Sequence, residues 1–130
     1  AEAWPPVPRE ALILMGHGTP HFAGMASAAL QSAFALQGRR DVFVVVPRGW
    51  PTLENVLPAL RAGGYGAAHL VPLLLTAGAH ACRDMAGEAP GSLKRQLRAA
   101  GFSARCTLQG LGSLTAIQRL YCEKLARLLE

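Results

Sequence analysis

The sequence has few charged residues, few aromatic residues and no long hydrophobic run. Charged residues make up 16% of the 130 positions and hydrophobic residues 51%, a composition that excludes intrinsic disorder. The longest apolar runs, at 11–15, 42–46 and 70–76, are far shorter than the ~20 residues that cross a bilayer, so we expect no membrane span. A chain of this length is expected to form one domain, with a core that needs no disulfide or structural metal.

The sequence also lacks closely spaced cysteines and the common nucleotide-binding motifs. Cys82, Cys106 and Cys122 are odd in number, far apart and outside any CxxC or CxxH pattern, so we expect free thiols. Free thiols suit a reducing compartment, which favours a cytoplasmic location and leaves a periplasmic one as the alternative. Since no Walker loop, GxGxxG fingerprint or serine-hydrolase elbow occurs, we expect no nucleotide cofactor.

Basic residues outnumber acidic ones. Thirteen Lys and Arg against eight Asp and Glu give a formal net charge of +5, which favours anionic partners. The arginines are scattered along predicted helices without interleaved aromatic residues, so nucleic acid is not the expected partner. A small polyanionic ligand fits this composition better.

Apolar strands and helices alternate along the chain after a proline-rich lead-in. Residues 1–10 are expected to be a lead-in or an interdomain linker, with the domain itself over 11–130. Pro51 is predicted in the first turn of the second helix, and Ser92 and Ser113 are predicted N-caps. The predicted strands are 11–15, 41–46, 67–75 and 103–108, and the predicted helices are 23–37, 51–62, 92–101 and 113–129.

This alternation predicts an α/β fold. We expect a four-stranded parallel sheet with helices on both faces, joined by right-handed crossovers in a flavodoxin-like order. In such sheets the ligand lies outside the carboxyl ends of the strands. The loops expected at that edge are 16–20, 47–50, 76–82 and 109–112, and three of the four histidines lie on them or directly after them.

Two histidines lie among small residues at this predicted edge. His17 lies between Gly16 and Gly18 after the first strand, and His80 follows Gly78 and Ala79 after the third. If the first and third strands are neighbours, the two rings face each other across the crevice. Such a pair suits a borderline divalent metal, or the removal of protons. A tight turn with a surface histidine is the alternative interpretation of the first loop.

Three other residues have more than one interpretation. His69 lies within the third strand and is expected to be a packed structural histidine. His21 is either a third ligand or an exposed side chain. Arg48, on the loop after the second strand, either binds a carboxylate of an anionic ligand or is a solvated loop arginine.

Four segments of the sequence together carry a family resemblance. They read MGHGTPH at 15–21, PLLLTAGAHA at 72–81, DMAG at 84–87 and GLG at 110–112. They resemble the anaerobic sirohydrochlorin cobaltochelatases of the CbiK type, from about residue 12 to residue 125. That resemblance implies a class II chelatase, which inserts Co2+ into sirohydrochlorin during cobalamin biosynthesis without ATP. Enzymes of this family have two similar α/β halves, and this chain resembles the C-terminal half.

The resemblance also implies roles for individual residues. His17 and His80 match the two histidines that handle the metal, so they are the expected catalytic and metal-binding residues. Co2+ is then a substrate, with Ni2+ or Fe2+ as alternatives. The residues expected to contact the tetrapyrrole are Gly16, Gly18, Thr19, Arg48 and Ala79.

The sequence departs from the family pattern at three acidic positions. Arg48 stands where the family has Glu in V-E-G-Y-P, Ala79 stands where it has Asp, and Ser113 stands where it has Glu. A non-catalytic tetrapyrrole- or metal-binding module is therefore the alternative function. A third hypothesis is an α/β hydrolytic or phosphate-binding enzyme that uses the Gly-His-Gly-Thr loop.

A broad, flat macrocycle needs a cleft with two walls, and one sheet edge supplies a single wall. We therefore expect either a homodimer or dependence on an N-terminal half like that of the family.

Overall fold

The computed structural model describes residues 9–17 and 25–130, and its four strands form one parallel sheet. The strands are β1 (Glu10–Met15), β2 (Val42–Val45), β3 (Ala67–Pro72) and β4 (Ser103–Cys106), in the order β2-β1-β3-β4. All three pairings are parallel. The predicted α/β fold with a four-stranded parallel sheet is confirmed, and so is the predicted pairing of the first and third strands.

Five α-helices connect and follow the strands. They are α1 (Met25–Leu36), α2 (Leu53–Ala62), α3 (Ala79–Ala86), α4 (Leu93–Ala99) and α5 (Thr115–Leu128), with a 3-10 turn at Leu111–Ser113 before the last. None of the helices in the described ranges is both long enough and apolar enough to cross a membrane. The predicted lead-in up to residue 8, together with Gly18, Thr19 and His21, lies outside the described residues.

The main hydrophobic cluster of the core lies against one face of the sheet. Alternate residues of β1 point to that face, and Ala11, Ile13 and Met15 are almost fully buried there. They pack with side chains from β2, β3 and helices α2, α3 and α4, among them Leu60 and Leu97. This alternation is the period of a strand with one face in the core. Neither α1 nor α5 contributes a buried residue.

Two predicted helix starts are wrong. Helix α2 begins at Leu53, because the Asn55 side chain accepts a hydrogen bond from the Thr52 N–H at 2.8 Å and makes Thr52 the N-cap. Pro51 therefore precedes the helix, and its carbonyl accepts the N–H of Val46 at 2.8 Å. Similarly, Ser113 belongs to the 3-10 turn, and Leu114 is the N-cap of α5.

The predicted start of α4 is confirmed. Ser92 is its N-cap, and the Ser92 hydroxyl accepts the N–H of Arg95 at 3.3 Å.

The third strand is shorter than predicted, and a helix follows it where a loop was expected. Strand β3 ends at Pro72, and residues 73–78 form the connection to α3. The connection is tied to the segment after β4, since the carbonyls of Leu74 and Leu75 accept backbone N–H groups from Leu111 and Gly112. His80 therefore lies in the first turn of a helix, and the predicted loop over 76–82 is wrong beyond residue 78.

Candidate metal and substrate site

A cavity of about 620 Å³ opens at the carboxyl edge of the sheet. The loops after β1 and β2, the connection after β3, and helix α3 all contribute to its wall. The lining residues are Met15, Gly16, His17, Pro47, Arg48, Gly49, Leu74, His80, Ala81 and Asp84. Its position is the one at which parallel α/β sheets bind their ligands.

His17 reaches this cavity because β1 is a central strand that ends two residues before it, at Met15. The N–H of Gly16 donates to the carbonyl of Val45 at 2.8 Å, which extends the pairing between β1 and β2 to the foot of the loop. Met15 is buried while His17 is exposed, so the chain leaves the core within two residues. The imidazole is thus accessible from the cavity.

His80 reaches the same cavity from the neighbouring strand β3. The Leu73 N–H donates to the Met15 carbonyl at 2.7 Å and continues the contact between the two strands past Pro72. Gly78 then serves as the N-cap of α3, which places His80 in the first helical turn with an exposed side chain. The structure therefore brings His17 and His80 to one cavity, the first from the loop after β1 and the second from the start of α3, which follows the neighbouring strand β3.

The predicted substrate residues fall into three groups. Gly16 and Arg48 line the cavity with the histidines. Ala79 is the exposed first residue of α3 and is not among the lining residues. The remaining two predicted residues, Gly18 and Thr19, fall in the undescribed segment.

Asp84 is a cavity residue that the sequence reasoning missed. It lies four positions after His80 in α3, a spacing that puts two side chains on the same face of a helix. Both residues line the cavity. The signal was present in the H-x-x-x-D spacing, but it carries meaning only once α3 is known to be a helix. Within ranges 9–17 and 25–130, no three His, Cys, Asp or Glu side chains lie close enough together to hold a metal ion.

A second cavity, of about 440 Å³, adjoins the first. The two share Pro47, Arg48 and Asp84 in their walls. Beyond these residues, the second cavity extends over the starts of α2 and α4 and is lined by Arg83 and Glu54. The edge of the sheet therefore carries two adjoining cavities, and His17 and His80 line the first of them.

His69 lies apart from both cavities. Its ring nitrogen Nε2 is 2.7 Å from the Thr107 hydroxyl, and its side chain is half-buried in β3. Burial lowers the pKa of His69 below its usual value of 6.5, and the nearby Arg105 guanidinium lowers it further, while Glu10 opposes the shift. A neutral, hydrogen-bonded ring agrees with the packed role expected from the sequence.

Comparison with known sequences supports a single family. The model of the cobalt chelatase (CbiK) family matches residues 4–130. The chain is 37% identical over 112 residues to a sirohydrochlorin cobaltochelatase of Salmonella typhimurium, an alignment that covers 86% of this chain and 42% of that protein. It is 40% identical over 105 residues to the sirohydrochlorin cobaltochelatase CbiKC of Nitratidesulfovibrio vulgaris, covering 79% of this chain and 36% of that one. The chain thus spans less than half the length of either relative.

A solved structure shows the same fold. A cobalamin (vitamin B12) biosynthesis CbiX protein from Marinobacter aquaeolei VT8 superposes with a TM-score of 0.65 at 20% identity, over 91% of this chain and 98% of that chain. At this level of identity the likeness concerns the fold alone. On the family match and the two curated relatives, this chain belongs to the cobalt chelatase (CbiK) family.

Proposed function

We propose that this chain forms a tetrapyrrole chelatase domain that inserts Co2+ into sirohydrochlorin without a nucleotide. The observation that carries the proposal is the convergence of His17 and His80 on one cavity at the carboxyl edge of the sheet. The family match and the two relatives, both named as sirohydrochlorin cobaltochelatases, point to the same reaction.

The chemistry of insertion suits a pair of accessible imidazoles. Two pyrrole N–H protons must leave the macrocycle as the divalent ion enters, so the reaction releases two protons for each metal bound. A neutral imidazole can hold the ion and can accept a proton near neutral pH. The ion must then pass to the macrocycle, so two histidines with open coordination positions suit the task better than a closed cage of four protein ligands. His17 and His80 would share these two roles.

The substrate side of the proposal rests on charge. Sirohydrochlorin is a polycarboxylate, and a chain with a formal net charge of +5 attracts it electrostatically. Arg48 lines the histidine cavity and would face the carboxylates of the substrate instead of the metal. Gly16, at the foot of the first loop, lets the macrocycle approach the backbone closely. Gly18, Thr19 and Ala79 remain predicted contacts.

A non-catalytic module that carries a tetrapyrrole or a metal is the second candidate. The observation that favours it is Arg48 itself, because a cation in the wall of the histidine cavity repels an incoming divalent ion.

One side of helix α5 is apolar and exposed. Helix α5 presents a stripe of apolar side chains that are each more than half exposed, formed by Leu120, Tyr121, Leu125 and Leu128. We propose that this stripe docks a second α/β half, either another copy of the chain or an N-terminal half, which provides the second wall of the cleft.

The domain would begin near residue 11, and its three free cysteines suit the reducing cytoplasm.

Anaerobic incubation with Co2+ and sirohydrochlorin, followed by absorption spectroscopy, tests the proposal. We expect the spectrum of the free macrocycle to convert to that of the cobalt complex faster than in a protein-free control. Binding of sirohydrochlorin without metallation would support the carrier instead. No spectral change on addition of the protein would contradict both candidates. Parallel incubations with Ni2+ and Fe2+ compare the rates at which the three metals are inserted.

A further inference from the structure

We propose that the second cavity, between Arg48 and Arg83, is a subsite for one carboxylate arm of the tetrapyrrole. The inference deepens the proposed function and rests on it. It assigns the macrocycle to the histidine cavity and a peripheral side chain of the macrocycle to the neighbouring one.

The two cavities lie side by side and share part of their walls. Because the two cavities share Pro47, Arg48 and Asp84, a ligand in the first can extend an arm into the second without crossing a separate surface. A tetrapyrrole has this shape, with an apolar ring and flexible carboxylate arms at its rim.

Two guanidinium groups line the second cavity. Arg48 and Arg83 are both exposed and line the second cavity from different elements, the loop after β2 and helix α3. Neither forms a salt bridge with any residue of the described ranges. A guanidinium offers several N–H donors in a planar fork that matches the two oxygens of a carboxylate. An arm entering this cavity would therefore find two cationic donors that no salt bridge among the described residues engages.

The acidic residues of the same wall determine selectivity. Glu54 and Asp84 also line the second cavity, so its four charged side chains sum to zero. A cavity of this kind does not attract anions in general, because two carboxylates compete for the guanidinium groups. It favours a carboxylate delivered by a ligand that is already held nearby, as an arm of a ring bound beside His17 and His80 would be.

Two metal-free porphyrins provide the test, because uroporphyrin carries twice as many carboxylates as coproporphyrin on the same type of ring. Fluorescence titration of the protein with each porphyrin gives two affinities. Their ratio measures how much the additional carboxylate arms of uroporphyrin contribute to binding. We expect Arg83→Ala to weaken the binding of uroporphyrin about tenfold, the effect of losing one charge-assisted hydrogen bond. The same substitution should change the affinity for coproporphyrin less.

Glu54→Gln provides a test in the opposite direction. It removes one competing carboxylate and should tighten uroporphyrin binding, while leaving the start of α2 intact because glutamine is compatible with a helix. Arg40→Ala is the matched control: Arg40 is exposed just before β2, at the opposite end of that strand from the cavities, and should leave both affinities unchanged.

The outcomes separate this inference from the proposed function. Loss of uroporphyrin affinity in Arg83→Ala, with Co2+ binding measured by calorimetry unchanged, supports the subsite. Equal affinities of wild type and Arg83→Ala for uroporphyrin overturn the subsite and leave the chelatase proposal standing. Failure of the wild-type protein to bind either porphyrin contradicts the proposed function, and the subsite with it.

Discussion

At the scale of single residues, the position of Arg48 has consequences for both the metal and the substrate of the proposed reaction. It lines both cavities, so its guanidinium lies where it can act on a metal ion and on a substrate carboxylate. The family resemblance puts an acid at this position, which would attract the metal. If the proposed function holds, this reversal of charge should weaken metal binding and strengthen binding of the polyanionic substrate.

Restoring the acid tests this account of Arg48. In Arg48→Glu we expect Co2+ to bind about tenfold more tightly in calorimetry, because an attractive charge replaces a repulsive one near the ion. Arg40→Glu makes the same charge change away from the cavity and serves as the control. Unchanged or weaker Co2+ binding in Arg48→Glu would mean that the loop after β2 lies away from the metal.

The histidines show how far residue patterns alone could locate the site. His17 and His80 were predictable because small residues flank them directly after predicted strands, and only neighbouring strands were needed to bring them together. Asp84 and Arg83 were not predictable in the same way. Their positions depend on α3, a helix of only eight residues, which is shorter than the stretch over which helical apolar spacing can be recognised in a sequence.

At the scale of elements, the strands were easier to predict than the helix boundaries. Strands β1 and β2 are nearly continuous apolar runs, and burial of such runs fixes both their type and their place in the sheet. The end of β3 was harder, because Leu73, Leu74 and Leu75 continue the apolar run past Pro72. Beyond Pro72, the carbonyls of Leu74 and Leu75 accept hydrogen bonds from the segment after β4. A local sequence pattern contains no sign of this tertiary contact.

That tertiary contact depends on Gly110. A Cβ at this buried position would meet the Leu75 carbonyl oxygen, and it would lie 2.7 Å from the carbonyl carbon of Leu75 and from the Cα of Thr76. We expect Gly110→Ala to lower the free energy of unfolding by about 1–3 kcal/mol, as overpacking does. Chemical denaturation measures the change.

Gly91→Ala is the matched control for that prediction. Gly91 is exposed, and a Cβ there would meet no heavy atom within 4 Å among the described residues. If Gly110→Ala were as stable as Gly91→Ala, the segment after β4 would not hold the connection that precedes His80.

At the scale of the whole molecule, the residues that the structure describes leave two surfaces open: the carboxyl edge of the sheet and the apolar side of helix α5. The cavities lie along one edge of one sheet, and α5 has no buried residue although it spans Thr115–Leu128. The apolar spacing of α5 was predictable from the sequence, but its exposure was not. Such spacing is ordinarily buried within a single domain, whereas Leu128 here is 81% exposed.

The exposed stripe on α5 leads to a prediction about assembly. We expect the protein to be a homodimer by light scattering at micromolar concentration, since two copies would cover each other's apolar side chains. Leu125→Lys places a charge within the stripe and should shift the protein to monomer. Lys124→Ala, at the neighbouring exposed position, should leave the dimer intact. A wild-type protein that is monomeric and fully active as a chelatase would refute the two-wall argument.

The central claim, that His17 and His80 insert the metal as a unit, is tested most directly by the rate of cobalt insertion in their alanine variants. We expect His17→Ala and His80→Ala each to lower the rate about 100-fold or more, and the double variant to be little worse than either. Both side chains are exposed, so the melting temperatures should stay close to that of the wild type. His69→Gln, a histidine variant outside the cavity, should retain its activity. Near-normal turnover by either His17→Ala or His80→Ala would contradict the account.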